Sequence, residues 1–197
     1  MKITRTQPTD EIPVWRPVVE TLPGGLKLDI TGLAIGSVLP AASIISYDEI
    51  TRVGKVVKST NATAIVNAGV LTIPVKKGHT FKVGDIIAKI VGGKASAITA
   101  IDTSNALIDT ITIGAALEAL AAGDSLFQAA AASTTTTSAY IYPLVKGKCG
   151  LSFRSVLVED INTIDVVLKG SVYARRIPSV AQAIQDLMPG TIFLNSK

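Results

Sequence analysis

Along most of this chain apolar and polar residues alternate with a period of two rather than 3.6. Residues 26–30 read Leu-Lys-Leu-Asp-Ile, and 95–101 and 107–113 repeat the rhythm. That pattern predicts half-buried β-strands. Strands are expected there, at 36–45, 53–58, 62–67, 70–75, 140–145 and 153–158, through the β-branched run 164–173, and at 191–194. A glycine opens a strand-forming run at Gly36, Gly54, Gly84, Gly123, Gly170 and Gly190. Glycine enters positive φ without steric cost, so each reads as a turn feeding a strand. The segment 75–90 holds two such turns, at Gly78 and Gly84, and reads as a central hairpin. Ser59-Thr60-Asn61 and 102–105 read as turns between strands.

Other segments break the rhythm. In 179–188, Val180, Ile184 and Leu187 fall on one face at helical spacing, with Pro178 ahead and Pro189-Gly190 behind. The alanine-rich 115–122 predicts a turn or two of helix stopped by Gly123. Pro8, Pro13, Pro17 and Pro23 exclude a helix from residues 1–25 and weaken any central strand there. The small-residue tract 129–138 reads as a linker. The expected fold is therefore mostly β. Many short antiparallel strands build a barrel- or sandwich-like body over 26–132, preceded by an extended proline-rich arm over 1–25. A C-terminal β-plus-helix part over 139–197, with one short helix, either completes that body or forms a small second unit.

Composition adds one inference. The 197 residues are 48% hydrophobic and 17% charged, against about 25% charged in an average globular protein. A surface so poor in charge favours an oligomer, in which subunits cover part of each other. No membrane span is expected, because the uncharged run 125–145 is interrupted by Gln128 and the polar tract 133–138. Met1-Lys2-Ile3-Thr4-Arg5 has no apolar stretch behind its charges, so no signal peptide is expected. A lone cysteine, Cys149, fits synthesis in a reducing cytoplasm. The net charge of +4 raises the question of nucleic acid. The basic residues are scattered, however, with Lys76-Lys77 and Arg175-Arg176 the only adjacent pairs, and aromatics at 5% supply no stacking platform.

Candidate chemistry is sparse. His79, the only histidine, follows Gly78 at a turn and reads as a solvated polar residue rather than a base. Cys149, between Lys148 and Gly150, has only His79 as a possible catalytic partner. Asp48-Glu49 and Glu159-Asp160 are adjacent pairs, which strand geometry points to opposite faces. Gly92-Gly93-Lys94 lacks the order of a phosphate-binding loop and of a biotinyl or lipoyl lysine hairpin. The expectation is a non-enzymatic protein with no cofactor and no metal. The sharper candidates lie in the arm, where Trp15, the only tryptophan, stands between Val14 and Arg16. An aromatic on a segment that cannot fold alone docks on its own body or on a neighbour. Val14, Trp15 and Arg16 are accordingly the candidate partner contacts, and removing residues 2–22 is expected to leave the body folded.

Four features, taken in order, resemble the phage head fibre and capsid decoration proteins. They are a proline-rich arm ending in Leu22-Pro23-Gly24-Gly25, and a β body with turns at Val83-Gly84-Asp85 and Ala122-Gly123-Asp124. An Ala/Thr tract follows, then a strand through Gly170 to Pro178, a short helix, and Pro189-Gly190 before the last strand. The resemblance implies a structural protein on the virion surface, made in a bacterial host's cytoplasm. It would bind the major capsid protein on the outside of the head as a homotrimer, stabilising the head or mediating attachment, with no active site, nucleic acid or membrane involved. The arm would then add a strand to a neighbour's sheet edge, Trp15 supplying specificity. The alternative is a non-enzymatic β-sandwich module that binds a ligand or glycan.

Overall fold

The computed structural model describes residues 13–135, 148–159 and 162–194. Their architecture is mostly β, built on two large sheets. The first has eight strands: β1 (Trp15–Thr21), β2 (Leu26–Asp29), β4 (Ile44–Asp48), β5 (Val53–Val56), β12 (Cys149–Ser152), β14 (Thr163–Ile164), β15 (Val166–Tyr173) and β16 (Thr191–Leu194). Its order is β1-β15-β12-β4-β5-β2-β14, with β16 also on β15. Strand β4 lies in the middle and is buried on both faces. Ile44 enters one core and Ile45 and Tyr47 enter another on the opposite side, as strand alternation requires. The second of these cores is closed by a two-stranded ribbon, β3 (Val38–Leu39) with β13 (Val156–Leu157). Leu39 faces inward and Val38 stays exposed.

Between β5 and β12 the chain forms the second sheet. Its strands are β6 (Ser59–Asn61), β7 (Thr72–Lys76), β8 (Ile86–Ala88), β9 (Ala95–Asp102), β10 (Ile108–Ile113) and β11 (Ser125–Gln128), in the order β6-β11-β8-β9-β10-β7. The two end strands then meet. Ala62 bridges to Val75, and the Thr63 N–H donates to the Pro74 carbonyl at 2.9 Å, so the sheet curls round to its own start. Ile73, Val75, Ile87, Ile98, Ile111, Ile113 and Leu126 fill the inside, and Val66, Phe81, Leu117 and Leu120 from the loops join them. On β11 the alternation divides two cores. Leu126 points into the barrel, while Phe127 packs with Ile44, Leu151, Val172 and Ile184 between barrel, sheet and C-terminal segment. A buried ion pair crosses the same junction, with Lys58 Nζ 2.6 Å from Asp85 Oδ2 and the Gln128 amide donating to the other oxygen at 3.2 Å.

Several expectations are corrected. Strands from 15–56 and 149–194 share one sheet, and the barrel sits between them in sequence. The described part of the proline-rich segment, from residue 13 on, lies on the body: β1 pairs with β15 through a bulged register, and Leu22 is buried with its N–H donating to the Val166 carbonyl at 2.8 Å. Strand β6 is Ser59–Asn61, the segment expected to turn, while Ala62 and Val66 contribute only isolated bridges. Segment 75–90 is no hairpin. β7 pairs with β10, β8 pairs with β9 and β11, and both glycines do turn, at φ +81° and +93°. No helix forms over 115–122, because Leu120 exchanges backbone hydrogen bonds with Val66 and the Asp124 carboxylate accepts the Ala121 N–H. The C-terminal helix shrinks to α1 (Gln182–Gln185), whose N-cap Ala181 has no side chain to hold the first turn. Two pairings are parallel, β2 with β5 and β15 with β16, beside the expected antiparallel ones. The strand expected at 140–145 lies outside the described residues.

Candidate functional site: the outer strand and a basic groove

β1 is the last strand on its side of the sheet, and β15 is its only pairing partner among the described residues. Trp15 is turned toward the body and Arg16 to solvent. The Trp15 indole N–H donates to the Phe153 carbonyl at 2.9 Å, and its ring packs with Val14 against the core beneath. Val14 also anchors the backbone, its carbonyl accepting the Tyr173 N–H at 2.9 Å. Arg176 completes the clasp. Its guanidinium donates to the Pro13 carbonyl at 2.7 Å and lies 4.7 Å from the centre of the Tyr173 ring. Of the three candidate contacts, two therefore hold the strand to its own molecule, and Arg16 alone is exposed.

A groove of about 670 Å³ opens between the barrel and the C-terminal segment. Asn61 and Ser125 stand on the barrel side, Gln182 and Gln185 of α1 on the other, and Lys76, Lys89 and Arg175 contribute positive charge. Lys89 is committed. Its ammonium sits 2.8 Å from Asp124 Oδ2 and donates to the Ala119 carbonyl at 2.7 Å. Burial would raise the Asp124 carboxyl, but the Lys89 and Ala121 hydrogen bonds outweigh it and hold the group below the usual carboxylate range. Ser125 and Ser179 hydrogen-bond to each other through their hydroxyls, joining the two walls. These residues span 61–193, so no local motif announces the groove. The signal in the sequence was the two basic pairs, Lys76-Lys77 and Arg175-Arg176, which the fold brings to one side of the molecule.

The remaining candidates are placed as follows. His79 is not solvated, since its side chain is only 5% exposed. It lies against Phe81, ring centres 5.9 Å apart, with Nε2 3.4 Å from Asp109 Oδ2. Burial lowers its pKa below the ordinary value despite the neighbouring carboxylate, which favours the neutral imidazole. Cys149 is buried in β12, and desolvation pushes its thiol up to about 12, the opposite of an activated nucleophile. Cys149 and His79 belong to different surroundings, the inter-sheet core and the barrel mouth. Asp48 accepts the Ile50 N–H, and Glu49 pairs with Lys148 at 2.8 Å. Asp160 lies outside the described residues. The Lys94 N–H donates to Glu118 Oε1 at 2.8 Å, fixing the Gly92-Gly93 turn. No group of His, Cys, Asp and Glu among the described residues could hold a metal ion, and no helix there is long and apolar enough to cross a membrane. The arrangement offers a strand edge for main-chain pairing and cationic and amide donors for an acidic group. Comparison with protein-family models, with curated proteins and with solved structures finds no match.

Proposed function

We propose that this chain is a structural virion protein that binds the outer surface of a phage capsid, as a head fibre or decoration protein, and that it is non-enzymatic. The observation that carries the reading is the outer edge of β1. The seven-residue strand pairs with β15 on one side, at four positions of a bulged register, and is anchored by Trp15, with Arg16 and Val19 exposed. Such an edge accepts a strand from a partner, whose backbone supplies affinity while side chains supply register. A strand or arm of the major capsid protein is the partner proposed. The exposed Val38 and Leu157, directly opposite each other on the β3–β13 ribbon, add an apolar surface for a second contact.

The test is cosedimentation of purified protein with mature heads of the phage or prophage that encodes it, followed by imaging of the decorated heads. Saturable binding at symmetry-related positions is expected. Replacing Val18 or Glu20 by proline on the outer strand should weaken it, while α1 and the barrel stay folded. Heads that pellet without the protein, at micromolar concentration and low salt, would refute the proposal. A second reading, a ligand- or glycan-binding module, draws support from the 670 Å³ groove. Phe193 is the only aromatic residue lining it, which gives a sugar ring little to stack on.

A further inference from the structure

Next to the large groove, and sharing Asn61, Lys76 and Ser179 with it, lies a smaller recess of about 160 Å³. Together the two hold an uneven share of the charge. Five of the 19 basic residues line them, Lys76, Lys77, Lys89, Arg175 and Arg176, against one of the 15 acidic residues, Asp124. The rest of the sequence carries 14 of each sign, so the chain's net charge of +4 is the net charge of this lining. The cations do not gather at one point. Lys89 and Arg175 line only the large groove, Lys77 and Arg176 only the small one, and Lys76 both. Asp124 neutralises Lys89 at 2.8 Å, and Asp109 neutralises Lys77 at 2.7 Å. Lys76 and Arg176 have no carboxylate partner among the described residues, and Arg176 spends Nη1 on the Pro13 carbonyl while keeping further donors.

The seam of the barrel borders the same surface. β6 pairs with β11 and β7 with β10, but β6 and β7 share no ladder. They meet through the contacts of Ala62 and Thr63 with Val75 and Pro74, and through the Thr60 hydroxyl, 3.4 Å from the Lys76 carbonyl. Ser59, Thr60, Asn61 and Lys76 of this seam line the small recess. We propose that the two adjoining grooves are a docking surface for an extended acidic segment of a partner protein. Cations spread along the lining match a run of carboxylates rather than a single anion, and such complementarity speeds encounter and excludes basic partners. The side-chain amides of Asn61, Gln182 and Gln185 each spend one N–H within the chain and keep another donor for a peptide backbone. The open seam supplies main-chain groups of its own, as strand-edge recognition does. A nucleic-acid strand fits poorly, because Phe193 is the only aromatic residue of the large groove on which a base could stack. The surface belongs to the barrel and the C-terminal segment, so the proposal holds whether or not β1 takes a strand from a capsid protein.

The test titrates the full chain into two fluorescein-labelled octapeptides, one alternating glutamate with threonine and the other glutamine with threonine, and into an oligothymidylate of the same charge as the first. Fluorescence anisotropy is followed at low salt and at about 0.15 M. Saturable binding of the glutamate peptide, weaker at the higher salt and absent for the glutamine peptide, is the expected result. Lys76→Glu on the barrel side and Gln182→Glu on the facing wall, both at exposed positions, should each weaken it on the order of tenfold, with thermal unfolding as the check on the fold. Lys27→Glu changes the net charge as much as Lys76→Glu, but it lies on β2, outside both grooves, and should keep the original affinity. No saturable binding at low salt, equal losses in Lys27→Glu and Lys76→Glu, or tighter binding of the oligothymidylate than of the peptide would each overturn the proposal.

Discussion

Two uses of glycine separate at the level of single residues. Gly84 turns the chain at φ +93° with open space around its Cα, so Gly84→Ala should cost only the backbone strain, about 1–2 kcal/mol. Gly150 has no such φ. A Cβ there would strike Val166 Cγ1 and come within 2.8 Å of the Val167 carbonyl oxygen, inside the sheet. Gly150→Ala should therefore lose about 2–3 kcal/mol through overpacking, seen as a lower urea midpoint at unchanged slope. His79 supplies a pH dependence. Its pKa is lowered in the fold by burial, so below pH 6.5 the unfolded chain takes up a proton that folded His79 resists. Stability should fall as pH drops from 6.5 through the folded pKa and then level off. In phosphate-free buffer, thermal unfolding of His79→Leu should lose that slope and keep the acid limb below pH 4. Asp29 belongs to that limb, held low by its hydrogen bonds to Thr31. The burial of His79 was hidden by its position after a glycine turn. The readable clue was Asp109, a charge on the inward side of an alternating strand, which needs cationic company.

At the level of elements, legibility followed how much of a strand's pairing is local. β10 and β16 were evident because alternation or β-branching runs their whole length and turns bound them. β6 is hidden because Ser59-Thr60-Asn61 is polar and reads as a turn. It is a strand because β11 pairs with it and Thr60 faces inward, facts set 65 residues away. The proline-rich segment looks separable in the sequence for the same reason. Its partner, β15, lies some 150 positions later, and Pro17 sits where bulges already interrupt the ladder. Trp15→Ala tests the corrected view. It removes a half-buried ring and the hydrogen bond to Phe153, so a loss of about 2 kcal/mol in equilibrium unfolding is expected. An unchanged midpoint would return the segment to the role of a free arm.

For the whole molecule, the low charge that first pointed to association has a structural counterpart in exposed Ile35, Val38 and Leu157 around the ribbon. On the proposed virion role, light scattering of the purified chain should give a trimer, and a monomer at micromolar concentration would remove that support. The placement of the barrel between β5 and β12 has a further consequence, which concerns synthesis. The contacts that close the barrel all fall within 59–128, so it can fold as soon as that stretch clears the ribosome. The sheet beneath it cannot. Strand β4 waits for β12, and β1 waits for β15, another 20 to 45 residues on, which is on the order of seconds at ordinary translation rates. During that interval the nascent chain presents Ile44–Asp48 with one edge unpaired and with its two cores still missing Leu151, Val166 and Val172. A strand buried on both faces of the finished sheet is thus one that the growing chain must shield until β12 arrives.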